Sequence, residues 1–100
     1  MERTVKTHGP RMNRVRTREI IDKLGLFVVT SNGKGIEIHR AMGPGELRIE
    51  RWRVYTGGGI AGNSDQVWIS PVTRVHGQPR GPYWNKGQLE KALRAWRRGE

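Results

Sequence analysis

The chain has 100 residues, which leaves room for one domain with a single modest core. Lys and Arg number 19 against 9 Asp and Glu, a formal net charge of +10. With no cysteine there is no disulfide framework, thiolate metal site or Cys nucleophile, and no apolar run approaches the ~18 residues that span a bilayer. The basic N-terminus is not followed by an apolar stretch, so the expectation is no secretory signal and a cytoplasmic protein without a membrane segment.

Residues 1–14 have little apolar content and contain Gly9-Pro10, which predicts a flexible basic arm ahead of one domain over residues 15–100. Residues 17–24 read as a short helix. Thr17 is placed as its N-cap, Glu19 sits near the positive end of its dipole, Ile20, Ile21 and Leu24 form its apolar stripe, and Gly25 stops it. Residues 26–30, β-branched and aromatic, suit a strand. Asn32-Gly33 in the turn that follows is a strong hairpin signal. Residues 36–42 alternate, with Ile36, Ile38 and Met42 inward and Glu37, His39 and Ala41 outward. Arg40 falls on the inward phase, which predicts a position near a sheet edge with its head extended to solvent.

Gly43-Pro44-Gly45 marks the next turn, and residues 47–55 form a third strand whose alternation slips. Leu47 and Ile49 share one face, Trp52 and Val54 the other, and a β-bulge near Glu50-Arg51 would restore a continuous inner face. Residues 57–65 are a glycine-rich loop; they lack the Gly-Lys-Ser or Gly-Lys-Thr ending and the following helix that a phosphate loop needs. A fourth strand is expected over residues 66–72, ending near Pro71, and residues 74–84 read as irregular. In the last element Asn85 caps a helix and Gln88 completes a capping box. Leu89, Ala92, Leu93 and Trp96 form one stripe, with Lys91, Arg94 and Arg98 opposite and Arg97 beside them. The expected fold is α+β in the order α-β-β-β-β-α, a four-stranded antiparallel sheet with helices packed on one face.

Charge is uneven along the chain. Residues 1–18 hold six basic groups and one acid, residues 86–100 five and two, and the stretch between them eight and six. Basic ends on a near-neutral body point to a polyanion partner, because clustered Lys and Arg displace counterions from phosphates. The candidate nucleic-acid contacts are Arg11, Arg14 and Arg16 in the arm, Lys91, Arg94, Arg97 and Arg98 on the last helix, and Arg51, Trp52 and Arg53 on the third strand. Arg51 and Arg53 are co-facial and flank Trp52, an interleaving on which single-stranded bases stack. Trp68 and Trp96 are assigned to the core, while Trp52, Tyr55 and Trp84 fit core or surface equally. His8, His39 and His76 lack ligand spacing, so neither a metal site nor a cofactor is expected. His39, two residues from Glu37 on one strand face, is the single candidate general base.

Arg18-Glu19-Ile20-Ile21-Asp22-Lys23-Leu24-Gly25 leading into an apolar strand, with a basic terminal helix, resembles the double-stranded-RNA-binding fold and the HicA-type toxins, small ribonucleases built on it. The likeness covers roughly residues 17–55 and residue 85 onward. Where those toxins open the second strand with Gly-Ser-His, this chain has Gly33-Lys34-Gly35, and the only nearby histidine is His39. The residues read first as a non-enzymatic nucleic-acid-binding protein. A small endoribonuclease with His39 as base is the second reading, and a phage-type protein that inhibits a host protein by engaging its acidic surface is the third.

Overall fold

The computed structural model describes residues 12–33, 35–56 and 66–100. Helix α1 (Arg14–Leu24) leads into strands β1 (Phe27–Asn32), β2 (Gly35–Met42), β3 (Arg48–Thr56), β4 (Val67–Pro71) and β5 (Arg80–Tyr83), and helix α2 (Lys86–Arg97) closes the fold. The strands form one antiparallel sheet in the order β1-β2-β3-β4-β5. The fold is α+β as expected, with five strands rather than four. No helix among the described residues is long and apolar enough to cross a membrane.

The extra strand lies in the stretch 74–84, whose glycines and prolines read as irregular. Proline lacks a ladder donor, so Pro82 is compatible with a strand only at a sheet edge, and β5 is an edge. Gly81, at φ +134, lets β5 lie against Trp68: a Cβ there would stand 2.9 Å from the Val67 carbonyl and 3.1 Å from the Trp68 ring.

An odd number of antiparallel strands also sets the direction of the helices. With six reversals between them, α1 and α2 run parallel. Lys86 pairs with Glu19 at 3.2 Å and Lys23 with Glu90 at 3.0 Å, so one turn along α1 matches one turn along α2. Arg97 at the end of α2 donates to the Leu24 carbonyl at the end of α1.

Helix α1 begins earlier than the sequence suggests. Asn13, not Thr17, is the N-cap, accepting from the Arg16 amide at 2.8 Å. Thr17 is buried one turn in and donates to the Asn13 carbonyl. Met12 belongs to the core, so residues 12–14 are part of the folded unit, and residues 1–11 lie outside the described residues. Gly25 ends the helix in the left-handed region at φ +69 as expected. At α2, Asn85 accepts from the Gln88 amide, while the Gln88 side chain reaches back one residue further than a capping box, to the Trp84 amide.

One core cluster takes Ile20, Ile21 and Leu24 from α1, Leu89, Leu93 and Trp96 from α2, and Ile36, Ile38, Trp52, Val54, Val67 and Ile69 from the sheet. Both helices therefore cover the same sheet face. Strands β2 and β3 pair in unbroken register from Ile36–Val54 to Met42–Arg48, so the expected bulge near Glu50 is absent. The apolar phase of β3 does not continue: Trp52 and Val54 face the core, and Ile49 stands on the other face, 52% exposed. Irregularities fall instead in β1, between Val28 and Thr30, and between β4 and β5.

The inward phase carries a buried ion pair. Arg40 is inward as the alternation requires, but its head does not reach solvent. Its Nε donates to Glu50 Oε1 at 3.0 Å, and both side chains are 6% exposed. Trp52 Nε1 donates to the same oxygen at 3.0 Å. The guanidinium lies 5.2 Å from the Trp52 ring and 5.0 Å from the Trp96 ring, and it also donates to the Trp96 carbonyl in the last turn of α2, which accepts from the Gly99 amide as well. Arg80 covers Trp52 from another side at 4.8 Å.

Burial pushes the Glu50 carboxyl up, but the donors Trp52 and Arg40 and the Arg40 charge outweigh it, and its pKa lies below the usual carboxylate value. A carboxyl whose folded pKa is depressed contributes stability above its unfolded pKa and loses it as pH falls through the folded value. Glu50→Ala, which leaves Arg40 buried and unpaired, is expected to cost about 3–5 kcal/mol in urea unfolding at pH 7. The penalty should shrink as the wild type is acidified below the ordinary carboxylate range, and Arg40→Met combined with Glu50→Leu should cost less than Glu50→Ala alone.

Candidate nucleic-acid interface

The sheet face that the helices leave uncovered is built by the opposite phase of each strand. The register places Phe27, His39 and Arg51 side by side across β1, β2 and β3. The next row holds Thr30, Glu37, Arg53 and Ser70, and the next pairs Tyr55 with Trp68. Cross-strand neighbours on one face have Cβ atoms ~5 Å apart, so these residues form one surface.

Glu37 is the centre of this array. Its Oε2 accepts from Arg51 Nε at 2.8 Å and from His39 Nε2 at 3.0 Å. The Arg51 hydrogen bond, followed by the one from His39, holds the Glu37 carboxyl below the usual carboxylate value against the opposing effect of burial. The same contact raises the Arg51 pKa. The Glu37 side chain is only 11% exposed because its neighbours close over it, whereas that of Arg51 is 55% exposed. Among the described residues, Arg53 has no carboxylate partner.

The aromatic residues on this face stand to either side of the charges. Phe27 is 68% exposed and meets the His39 ring edge-on, with centroids 5.9 Å apart. A shallow hollow lies beside it, lined by Phe27, His39, Arg40, Ala41 and Ile49. Trp68 and Tyr55 are half-buried on the far side.

This arrangement redistributes the candidates from the sequence. Arg51 and Arg53 are co-facial as expected, and Arg51 takes Glu37 rather than Glu50, which lies on the opposite face. Trp52 is fully buried under Arg40 and Arg80 and offers no ring to a ligand, so its assignment to the interface is corrected. Trp96 is in the core as assigned, but Trp68 is not: it lies on the outer phase of β4, between buried Val67 and Ile69. Phe27 was missed as a surface aromatic, although its period-two relation to the strand was readable once its partner strand was known.

The remaining basic candidates are dispersed. Arg11 lies outside the described residues. Arg14 donates to the Asn32 carbonyl at 2.6 Å and ties α1 to the first hairpin, and Arg16 is half-buried beside the Asn13 cap. On α2, Arg94 pairs with Glu90 and Arg98 with Glu100, while Arg97 holds the end of α1. Lys91 is exposed at a groove formed with Tyr83, Trp84 and Gln88. These helix cations sit on the layer opposite the array around Glu37. No group of three His, Asp or Glu among the described residues is placed to hold a metal ion.

Removing Arg51 removes the largest cause of the depressed Glu37 pKa. In Arg51→Ala the Glu37 carboxyl, followed by carbon-13 NMR through a pH titration, should titrate at a higher pH than in the wild type; an unchanged midpoint would contradict the pairing seen here.

Comparison of the chain with protein-family models, curated proteins and solved structures finds no match, so its function is read from this geometry alone.

Proposed function

We propose that the protein binds single-stranded nucleic acid across the open face of its sheet. The observation that supports this is the placement of Arg51 and Arg53 between Phe27 on one side and Tyr55 and Trp68 on the other, on a face that neither helix covers. Guanidinium groups engage phosphates through several donors at once, and exposed rings accept bases by stacking, which requires bases free of a duplex. The net charge of +10 adds long-range attraction for a polyanion. Arg51 is itself paired with Glu37, so Arg53, which has no carboxylate partner among the described residues, is the principal phosphate contact, and the cations of α2, of which Arg94 and Arg98 are paired with Glu90 and Glu100, serve a second one.

Anisotropy titrations with labelled single-stranded and duplex oligonucleotides over a salt series test this reading. Single strands should bind more tightly, and log K should fall linearly with log salt by ~0.7 for each phosphate neutralised. Arg53→Ala should flatten that slope by ~0.7. Phe27→Ala should weaken binding by about 1–3 kcal/mol. If both substitutions leave affinity unchanged while Lys91→Ala abolishes it, the interface is the α2 layer instead.

A further inference from the structure

The open face carries acceptors as well as donors, and phosphate binding uses only the donors. A carboxylate can only accept, so the neutral His39 ring turns its Nε2 proton to Glu37 Oε2, 3.0 Å away, and its Nδ1 keeps a lone pair. Glu37 Oε2 also takes the Arg51 hydrogen bond, which leaves Oε1. Among the described residues neither Nδ1 nor Oε1 has a donor, and neither is sealed from solvent. The register places His39 in the row of Phe27 and Arg51, and Glu37 in the next row with Arg53. Phosphate oxygens are themselves acceptors and gain nothing from these two atoms.

The donors that DNA and RNA share are the N–H groups of their bases. The Phe27 and His39 rings have centroids 5.9 Å apart and planes inclined by 70°, so a base lying flat on Phe27 is tilted against the imidazole and meets it with an edge. The hollow that would seat such a base is lined by Phe27, His39, Arg40, Ala41 and Ile49. Arg40 supplies no competing donor there, because its guanidinium is turned to Glu50 on the other face of the sheet. Arg51 gives its Nε to Glu37 and keeps its terminal N–H groups for phosphate.

We propose that this hollow is a base subsite for a nucleobase with an exocyclic amino group, adenine, cytosine or guanine, and that it discriminates against uracil and thymine. The proposal rests on the single-strand binding mode above and names the bases which that face takes. An amino group has two hydrogens to give and satisfies Nδ1 directly. Uracil and thymine have one ring N–H flanked by two carbonyl oxygens, so their approach sets oxygen lone pairs against Nδ1 and the Glu37 carboxylate. Acceptors pressed against lone pairs lose their water without gaining a partner, and that loss is the basis of the discrimination. Glu37 is a positioning residue here: it holds the ring in the tautomer whose free nitrogen accepts.

Anisotropy titrations of the full chain compare labelled oligodeoxycytidylate with oligodeoxyuridylate of the same length, at one salt concentration and slightly alkaline pH. These strands share ring size, phosphates and sugar, lack the 2′-hydroxyl, and differ at the base edge by an amino group in place of a carbonyl. The cytosine strand should bind about 3–10-fold more tightly, the range of one hydrogen bond. Oligodeoxyadenylate should exceed its counterpart built from unsubstituted purine, which removes the amino group without adding an oxygen. In His39→Phe, which keeps a ring but no acceptor, the ratio of the cytosine and uracil affinities should fall to near one. Both strands meet the same protein sample, so partial misfolding lowers both affinities and not their ratio. Glu37→Gln, whose amide can turn either its N–H or its oxygen to His39, should also reduce the ratio. Equal affinities in the wild type overturn the base subsite and leave single-strand binding standing. Tighter binding of the uracil strand overturns it as well and gives the base edge to the Arg51 donors. A cytosine preference that survives in His39→Phe removes His39 as its source. Failure to bind any strand overturns both proposals.

Discussion

The structure depends on one buried contact, the Arg40–Glu50 pair between Trp52 and Trp96. Burying two charges is costly, and the interior must return donors and acceptors to each. Here Glu50 takes hydrogen bonds from Arg40 and Trp52, while Arg40 gives to Glu50, to the Trp96 carbonyl in the last turn of α2 and to Glu100 beyond it. The contact does more than satisfy its members. Glu50 faces Arg40 in the register of β2 and β3, so the pair fixes which residue stands opposite which. By reaching Trp96 it also fixes where the end of α2 sits on the sheet. A purely aliphatic core of the same volume would bury as much surface without choosing among registers so sharply.

That register determines the outer face. Once Arg40 is opposite Glu50, His39 is opposite Arg51 and Glu37 opposite Arg53, and the acidic, basic and imidazole groups meet with no loop involved. A site carried on paired strands is held more firmly than one carried on loops, because each side chain leaves a backbone fixed by ladder hydrogen bonds on both sides. Glu37 needs this support. It is a carboxylate closed over by neighbours on a face that is otherwise wet, and its low pKa follows from donors that the ladder holds in place.

Much of this was legible in the sequence, and the gaps have identifiable causes. The 3.6-residue period of Leu89, Leu93 and Trp96 and the left-handed stop at Gly25 are local signals, and both survive folding intact. The shared face of Glu37 and His39 follows from the two-residue period of a strand. The role of Arg40 was not legible, because alternation says that a side chain points inward but not that a partner waits there; Glu50 is ten residues and a turn away. Strand β3 holds two apolar phases, Leu47 with Ile49 and Trp52 with Val54, and a sheet covered on one side can bury only one. The choice is made by pairing with β2, which composition does not reveal, and it decides that Trp52 is core rather than surface. Strand β5 was hidden because Gly81 and Pro82 are ordinarily signs of a break, and only their edge position makes them compatible with a strand.

The odd number of strands has an electrical consequence. Most two-helix layers set their helices head to tail, and the fields of the aligned peptide groups then largely cancel. With α1 and α2 parallel, the fields add, so both amino ends lie at one pole of the molecule and both carboxyl ends at the other. The negative pole is where Arg40, Arg80 and Arg97 collect, each donating to a carbonyl at a helix end or just beyond it. These three guanidinium groups are thus partly spent on neutralising the protein's own backbone. At the opposite pole Arg14 and Lys86 stand at two helix beginnings, whose fields have the same sign as their charges. An approaching polyanion meets an oriented body rather than a uniformly positive one.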